Sequence, residues 1–533
     1  MAATVGGDVQ HIGGVASDGE AGHVAGILRG DEFVDATELN HRALRAAAGL
    51  RSLGVGPGDR IGLLLRNDVA FFEAAFAATA LGAAPVPVNW HGSTEEVAYV
   101  VADSGAKVLI GHADLLVDVR HGVPQGVTVL GVSTPPSIAA AYGVTPERAA
   151  LASHEVEWAS WRDGFAPLSD VHAGESTTMI YTSGTTGHPK GVRRIPGTHD
   201  EADALAYLLD VVRLFGLWPE VRTIIPGPMY HSAPHAYAMG AVRTYGGFVV
   251  LQDRFDPEEM LALIERHRIT SIYMVPTMFV RLLRLAPEVR ARYDLSSLRH
   301  VSHTAAPCPP DVKRALIEWL GPIVHEFYGS TEVGLVAGCD SEEWLAHPGT
   351  VGRALASCHI EVIGDDGPQP VGESGEVFVR ARGFTDFTYE GLANARTDVE
   401  REGLITCGDV GFFDPDGFLY LCDRVRDMII SGGVNIYPIE IEACLLKLPG
   451  VADCAVFGIP DDEFGESVAA AVKLEPDATL QAEDVQAHVR AHLAGYKVPK
   501  LVTFHEDLPR EDSGKMFKRK LRAPYWEHTG RAI

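Results

Sequence analysis

Apolar, β-branched segments alternate with amphipathic ones along most of this sequence, and few folds accommodate such an order. Buried strands are predicted at Arg60–Leu65, Pro85–Val88, Lys107–Ile110, Ile269–Val275 and Leu298–Ser302. Helices are predicted between them, with start signals at Thr37, Ser93, Asp256 and Thr277 and a further helix at Phe71–Leu81. Strands that alternate with helices indicate an α/β fold in which helices cover largely parallel sheets.

The pattern changes after about Phe378, where short strands separated by turns become frequent. They are predicted at Glu376–Arg380, Phe418–Cys422 and Val451–Phe457, with a last strand–helix–strand unit at Val468–Leu474, Glu483–Leu493 and Leu501–Phe504. A chain of 533 residues is long enough for more than one domain. We predict a loose arm over residues 1–30, a large N-terminal domain over 31–425 and a small α+β domain over 426–533, with a connector at His154–Gly174.

Composition narrows the possible partners. The formal net charge is −26, and the only basic cluster is Lys515–Arg522, which argues against nucleic-acid binding. The seven cysteines are odd in number and form no Cys-x-x-Cys pair, which argues against a disulfide framework or a thiolate zinc site. No apolar run reaches membrane-spanning length. We therefore expect a cytoplasmic protein without a transmembrane segment.

The strongest chemical signal is the loop Tyr181–Gly191, which follows the apolar run Thr177–Ile180. Its three glycines let backbone amides turn toward an anion, four hydroxyl residues add donors, and Lys190 adds a positive charge. The spacing is not that of a Walker loop. The segment predicts a phosphate cradle.

This loop resembles that of the adenylate-forming superfamily, which contains acyl-CoA synthetases, amino-acid adenylation domains and firefly-type luciferases. The resemblance runs from about Ala36 to Lys520, with further motifs in family order. It implies a small, mobile C-terminal domain. It also implies ATP or AMP contacts at Thr182, Ser183, Gly184, Thr185, Thr186, Gly187, Lys190, Ala305, Ala306, Pro307, Tyr328, Gly329, Ser330, Thr331, Asp409, Arg424 and Lys515.

The resemblance assigns roles to several of these residues. Tyr328 is expected to stack on adenine, Thr331 to contact phosphate, and Asp409 and Arg424 to reach the ribose. Glu332 is expected to hold Mg²⁺, and a carboxylate beside a triphosphate is the hard oxygen ligand that Mg²⁺ prefers. Cys407, two residues before Asp409, departs from the family pattern.

The C-terminal motifs imply the moving parts. Lys515, in the loop Pro509–Lys515, is expected on the reacting carboxylate and the α-phosphate. Arg426 stands at the hinge, where the family usually has Asp or Lys, and the loop with Gly432 and Gly433 is expected to face the coenzyme A tunnel.

The acid is expected near the segment Pro228–Pro234, which resembles an acyl-CoA synthetase signature. His231 is assigned a catalytic and substrate-binding role there. The predicted substrate pocket contains His231, His235, Thr304, Gly334 and Ala337, although Thr304 replaces a customary glycine. The small residues among them indicate room for a bulky acyl or aryl group.

These motifs imply an acid–CoA ligase that uses ATP, Mg²⁺ and coenzyme A. One alternative is an amino-acid or aryl-acid adenylation enzyme that loads a separate carrier protein, although His231 stands where amino-acid enzymes usually carry Asp. A luciferase-like oxygenase and an inactive nucleotide-binding protein are further alternatives. The acid is left open, as is the oligomeric state, with a homodimer as one alternative.

Overall fold

The computed structural model describes residues 24–172, 177–182, 189–195, 197, 200–364, 366–392, 394–424, 427–432, 434–461, 463–510 and 516–527. Within these residues the predicted α/β architecture is confirmed, with a large N-terminal part and a smaller C-terminal part.

A nine-stranded sheet forms the centre of the large part. In spatial order its strands are Arg353–Ala354, Gly334–Cys339, Val324–Ser330, His300–His303, Ser271–Met274, Arg222–Ile225, Phe248–Leu251, Gly26–Arg29 and Glu32–Asp35. The six strands from Val324–Ser330 to Gly26–Arg29 are parallel, and the others pair antiparallel at the edges. The carboxyl ends of the parallel strands therefore meet at one edge, where α/β proteins place their ligands.

A second, four-stranded parallel sheet packs beside it, in the order Ala84–Pro87, Arg60–Leu64, Val108–His112, Thr128–Val132. Asn67, just beyond one of its strands, joins the two sheets. Its side-chain amide donates to the carbonyls of Ile225 (3.3 Å) and Gly227 (2.8 Å), and its oxygen accepts from the Met229 amide (3.1 Å). Because Asn67 is buried, these bonds fix the backbone that leads into His231.

Three further sheets complete the structure. A three-stranded sheet contains Phe387–Tyr389, Lys190–Arg194 and Ile180–Thr182. An antiparallel sheet contains Gly367–Pro368, Cys358–Gly364, Gly375–Ala381, Leu404–Phe413, Glu400–Arg401 and Leu419–Arg424. The C-terminal sheet contains Val434–Ile436, Ile429–Ser431, Gly465–Leu474, Val451–Asp461 and Leu501–Phe504, and it has a core of its own around Ile441, Val456 and Val485.

The described helices cover these sheets. They are Ala36–Ser52, Val69–Ala80, Thr94–Asp103, Ala113–Val119, Pro136–Tyr142, Pro146–Ala149, Trp158–Asp163, Glu201–Phe215, Ser232–Met239, Pro257–His267, Pro276–Leu283, Pro287–Arg290, Pro310–Leu320, Ser341–Ala346, Ala395–Asp398, Pro438–Leu445, Ala482–His492 and Lys518–Trp526. Short 3₁₀ turns lie at Arg120–Gly122 and Gly495–Lys497, and a π-helical turn at Gly240–Thr244. In the part of the chain that the structure describes, none of the helices has the length and hydrophobicity of a membrane-spanning segment.

Two predicted caps are wrong. Asp35, and not Thr37, caps the first helix, since its carboxylate accepts from the amides of Thr37 and Glu38. Thr277 lies inside its helix, because Pro276 occupies the first turn and Val275 is the cap residue. The capping box at Ser93 and the Asp256 cap are confirmed.

Two irregular regions are more ordered than predicted. The loose arm does not extend to residue 30, because Gly26–Arg29 pairs with Phe248–Leu251 as an inner strand of the large sheet. The connector at His154–Gly174 contains the helix Trp158–Asp163, whose Trp158 is buried and donates to Glu73. The predicted domain boundary at Arg426 lies outside the described residues and stays a prediction.

Candidate active site

The predicted phosphate loop connects the two strands of a β-hairpin. Strands Ile180–Thr182 and Lys190–Arg194 pair antiparallel, with Thr182 opposite Lys190, while residues 183–188 between them lie outside the described residues. The Tyr181 hydroxyl donates to Asp103 at 2.7 Å and ties the hairpin to the helix Thr94–Asp103. The Tyr181 ring also packs so closely on Gly191 that a Cβ there would lie 2.8 Å from it. Glycine is therefore required at 191 for packing.

The turn Ser330–Gly334 follows the parallel strand Val324–Ser330 at the sheet's carboxyl edge. The Ser330 hydroxyl accepts from the Glu332 amide at 3.2 Å, and Thr331 donates to Ser232 at 3.0 Å. Gly329 permits this tight reversal, since a Cβ there would lie 1.9 Å from the Gly334 carbonyl oxygen. The predicted phosphate and metal residues thus share one compact turn.

Tyr389 connects that turn to the hairpin. Its hydroxyl donates to Glu332 Oε1 at 3.2 Å, and Lys190 Nζ lies 5.2 Å from the centre of its ring. Burial and the neighbouring Glu332 raise the pKa of Tyr389 well above its ordinary value, so it acts as a neutral donor. Lys190 and Glu332 are therefore brought together around one tyrosine.

Arg194 binds the backbone of the turn Ser330–Gly334. Its guanidinium donates to the carbonyls of Glu332 (2.7 Å) and Thr385 (3.0 Å) and to that of Thr331. Burial lowers the pKa of Arg194 to about 10, which leaves it charged near neutral pH. Within the described part of the chain it forms no ion pair; its hydrogen bonds go to carbonyl oxygens, and its guanidinium lies 4.3 Å from the centre of the Phe384 ring.

The predicted ribose residues also meet. Asp409 is buried, accepts from the Tyr328 hydroxyl at 2.6 Å and lies 3.3 Å from Arg424 Nε. The Cys407 thiol contacts the Ser330 hydroxyl at 3.1 Å. Burial, with Asp409 nearby, raises the pKa of both Tyr328 and Cys407, so both stay protonated at neutral pH.

The predicted adenine wall contains a strained residue. Ala305 has φ = 78°, in the left-handed region that residues other than glycine rarely adopt. Such strain costs on the order of 1–3 kcal/mol and clusters at binding sites. The neighbouring Thr304, Ala306 and Pro307 follow the strand His300–His303 at the same sheet edge.

The acid-binding motif lies at the start of a helix. His231 is the N-cap residue of Ser232–Met239, and the amide of His235 donates to its carbonyl one turn later. His235 is buried and its Nε2 lies 2.9 Å from Thr178 Oγ1. Burial lowers the pKa of His235 to about 4, an effect that the backbone of Met229 only partly offsets, so the ring is neutral.

The remaining predicted pocket residues are distributed differently. His235 lines a cavity of about 230 Å³, whereas Thr304, Gly334 and Ala337 are not among its lining residues. Ala337 is fully buried, and a Cβ on Gly334 would lie 2.2 Å from the Tyr207 hydroxyl. Both small residues therefore accommodate neighbouring protein groups, which accounts for their size without a ligand.

The donors around Glu332 are of the kind that magnesium prefers. Glu332 offers a hard carboxylate, one oxygen of which accepts only from Tyr389, and no cation lies within ion-pair distance among the described residues. Such an oxygen beside Lys190 fits a magnesium ion that shares its ligands with phosphate.

The C-terminal predictions are covered only in part. Gly432, with φ = 57°, turns between strands Ile429–Ser431 and Val434–Ile436, and its amide donates to the Phe464 carbonyl at 2.8 Å. Gly433, the hinge Arg426 and the predicted catalytic Lys515 lie outside the described residues.

Sequence reasoning missed Arg194, Tyr389, Ser232 and Asn67. Their partners lie far along the chain, since Arg194 and Thr385 are 191 residues apart. The sequence signals for them were indirect: Ser232 lies in the recognised segment Pro228–Pro234, and Arg193 and Arg194 are two adjacent arginines that end a strand.

Comparison with known proteins agrees with this geometry. Residues 19–386 match the family model described as AMP-binding enzyme, and residues 440–515 match the AMP-binding enzyme C-terminal domain. A feruloyl-CoA synthase from Amycolatopsis sp is 33% identical, over 94% of this chain and 96% of its own. A long-chain-fatty-acid–CoA ligase from Mycobacterium tuberculosis is 31% identical over 92% of each chain.

A solved structure of a CoA synthetase is similar to this chain over most of its length. The o-succinylbenzoate coenzyme A synthetase of Bacillus subtilis, in complex with ATP and a magnesium ion, superposes with a TM-score of 0.77 at 27% identity. The match covers 94% of this chain and 96% of that one. The chain belongs to the AMP-binding enzyme family and stands with its acyl-CoA synthetases.

Proposed function

We propose that this chain is an ATP-dependent acid–CoA ligase. It joins a carboxylic acid to AMP with release of pyrophosphate, and then transfers the acyl group to coenzyme A with release of AMP. The observation that carries this proposal is the cluster of Lys190, Tyr389 and Glu332 beside the pair Tyr328 and Asp409. It offers a cation and a metal-binding carboxylate for phosphates next to a carboxylate for a ribose.

The chemistry explains why such a site is needed. A carboxylate is a poor acyl donor, because its leaving group would be oxide. When its oxygen attacks the α-phosphorus of ATP, the product is a mixed anhydride with AMP, and pyrophosphate leaves. Two anions must approach each other, so positive charge and oriented donors lower the barrier.

Individual residues divide this work. Lys190 and the hydroxyls and amides of residues 182–187 bind phosphate, and Lys515 bridges the carboxylate and the α-phosphate. Glu332 holds magnesium, which supplies charge neutralisation on the phosphates. Tyr328 and the segment 305–307 hold adenine, and Asp409 with Arg424 binds the ribose hydroxyls.

Coenzyme A is favoured over a carrier protein as acceptor. The curated relatives reported above are named as CoA synthases or ligases. In addition, His231 stands where an amino-acid adenylation enzyme needs a carboxylate for the substrate ammonium. Gly432 and Gly433 form the loop that lines the coenzyme A tunnel in this proposal.

The reaction class is tested with purified protein and a broad panel of fatty, aryl, arylacetic and sterol-type acids. We expect acid-dependent exchange of pyrophosphate into ATP without coenzyme A, and thioester plus AMP when coenzyme A is added. Release of ADP and phosphate would contradict adenylate formation. Transfer to a phosphopantetheinylated carrier but not to coenzyme A would favour the alternative acceptor.

The hinge assignment of Arg426 is tested by Arg426→Pro. Proline fixes φ near −65° and removes the amide donor, so the C-terminal domain should stay in one arrangement. We expect near-normal pyrophosphate release in a single turnover, with thioester formation slowed at least about tenfold. Arg426→Ala, which leaves φ free, should spare both steps more. Equal loss of both half-reactions in a folded proline variant, checked by circular dichroism, would remove the hinge assignment.

A further inference from the structure

Three side chains with metal-ligating atoms meet on two helices of the C-terminal part. Cys444 lies near the end of the helix Pro438–Leu445, and His488 and His492 lie on the helix Ala482–His492. One ligand atom of each side chain lies within 4.8 Å of those of the other two. A thiol and two imidazoles are therefore close enough together for one metal ion to be considered.

The spacing of the two histidines places both rings on the same face of their helix. Residues four apart are neighbours on a helix surface, and the ring centres of His488 and His492 are 4.4 Å apart. Histidines with this spacing bind zinc in known helical metal sites. The third ligand comes from the neighbouring helix, so an ion here would connect two segments that are 44 residues apart in the sequence.

Each histidine uses one ring nitrogen in a hydrogen bond with a backbone carbonyl. His488 Nε2 lies 3.1 Å from the carbonyl oxygen of Cys444, and His492 Nδ1 lies 2.8 Å from that of His488. Because a carbonyl oxygen only accepts, these nitrogens carry the ring protons, and the second nitrogen of each neutral ring holds a lone pair. Metal-binding histidines typically donate to a carbonyl or a carboxylate in this way, which fixes the tautomer and the orientation of the ring.

The cluster lies at the edge of the C-terminal core. Cys444 is buried and belongs to that core, His488 is half-buried, and His492 is exposed. The site is thus closed on the thiol side and open at His492, where an ion can enter and water can fill a fourth position. With bonds of about 2.0–2.3 Å, the ligand atoms of a tetrahedral zinc site lie roughly 3–4 Å apart. His492 is the last residue of its helix, so rotation of its side chain can close the remaining distance.

The chemistry of the ligands selects the metal. One thiolate and two imidazoles favour zinc, whereas Mg²⁺ prefers oxygen ligands such as Glu332. The spacing of the seven cysteines argues against a site made of several thiolates, but this cluster needs only one. The two ions should therefore bind at different places without competing.

We propose that Cys444, His488 and His492 bind one zinc ion, which links the helices Pro438–Leu445 and Ala482–His492. Binding forms one zinc–sulfur and two zinc–nitrogen bonds, and the thiol proton of Cys444 passes to solvent. Because the three ligands come together only in the folded chain, zinc stabilises the C-terminal part against unfolding. The inference is independent of the proposed ligase function, since none of the three residues takes part in that reaction.

The test uses the full-length protein, stripped of metal with a chelator, kept reduced and supplied with excess Mg²⁺. Cobalt(II) replaces zinc in such sites, and a cobalt–thiolate bond gives a charge-transfer band in the near ultraviolet. We expect this band to saturate at about one cobalt per chain and to disappear when zinc, which binds more tightly, is added. Zinc should also raise the temperature of thermal unfolding by at least about 2 °C.

Two variants remove one ligand each. Cys444→Ser should abolish the cobalt–thiolate band. His492→Gln changes an exposed side chain, so the fold should stay intact while zinc binding weakens at least about tenfold. Competition with a chromophoric chelator measures the zinc affinity, and thermal unfolding in metal-free buffer checks the fold of each variant.

Three controls show whether these effects are local. Cys422→Ser removes a half-buried cysteine that contacts Ser374, and His41→Gln removes an exposed histidine from a helix of the large part. Both variants should keep the band and the zinc affinity of the wild type. Glu332→Gln should do the same, because it changes only the proposed magnesium ligand.

The outcomes separate this inference from the ligase function. It is overturned if the wild type gives no cobalt–thiolate band, if Cys444→Ser keeps the band, or if His492→Gln binds zinc as tightly as the wild type. The expected pattern of bands and affinities supports the site even if no acid gives pyrophosphate release, so the two proposals can fail separately.

Discussion

Lys515→Ala is expected to lower the rate of acyl-adenylate formation by about 10²–10³, which is typical for losing one donor to transition-state charge. Lys515 is proposed to stabilise the charge that develops between the carboxylate and the α-phosphate. ATP affinity should change much less, because Lys190 and the turn around Glu332 remain. Single-turnover pyrophosphate release measures the rate, and equilibrium titration measures the affinity.

Lys520→Ala is the matched control for this variant. Lys520 is exposed on the helix Lys518–Trp526, five residues beyond Lys515, and carries the same charge. It should leave both quantities unchanged. If Lys515→Ala weakened ATP binding as much as it slowed turnover, Lys515 would be a nucleotide-binding residue only.

Glu332→Gln is expected to lower adenylation roughly 10²-fold at low magnesium concentration. The amide keeps the shape of the side chain and can still accept from Tyr389, but it removes the charge that attracts the ion. Because the remaining ligands would come from phosphate and water, raising the magnesium concentration should recover part of the loss. The measurement is the pyrophosphate-release rate as a function of magnesium concentration at saturating ATP.

Tyr389→Phe tests the same site through the group that orients the carboxylate. Losing the 3.2 Å hydrogen bond should raise the magnesium concentration that gives half-maximal rate by roughly 10-fold. This is the lower end of the effect expected when a residue that orients a metal ligand is removed. Tyr420→Phe is the control, since its hydroxyl bonds Asp414 elsewhere. If Glu332→Gln lowered the pyrophosphate-release rate by the same factor at every magnesium concentration, Glu332 would have a structural role and not a metal-binding one.

Local signals in the sequence predicted the parts of the fold that are built from neighbouring residues. The capping box at Ser93 and the strand Leu501–Phe504 fall where expected, since a cap and a short β-branched run are each decided within a few residues. The sequence analysis places Gly26–Arg29 in a loose arm. In the structure these residues form a strand because they pair with Phe248–Leu251, more than 200 residues away. No local pattern reports such a partner.

In the candidate site, too, some residues could be predicted from the local sequence and others could not. The loop around Lys190 and the turn at Glu332 could be recognised as candidate phosphate and metal sites, because each is formed by consecutive residues of the sequence. The hydrogen bonds of Arg194 and Tyr389 were not, since each joins segments that meet only in the folded chain. The small size of Gly334 and Ala337 has a second explanation, because small residues serve protein packing as readily as a ligand, and their place in the substrate pocket stays a prediction.

The half-buried guanidinium of Arg194 has a consequence for how an acidic enzyme binds acidic molecules. At long range, a chain with a net charge of −26 repels nucleotides and carboxylates, and dissolved salt screens this repulsion. The guanidinium of Arg194 is bound to carbonyls of the turn Ser330–Gly334 and its neighbour Thr385, and an interaction over a few ångströms is screened less than the repulsion by the whole chain. Its attraction therefore persists where the repulsion fades, and encounter with an anion becomes easier as ionic strength rises, the reverse of steering by a basic surface.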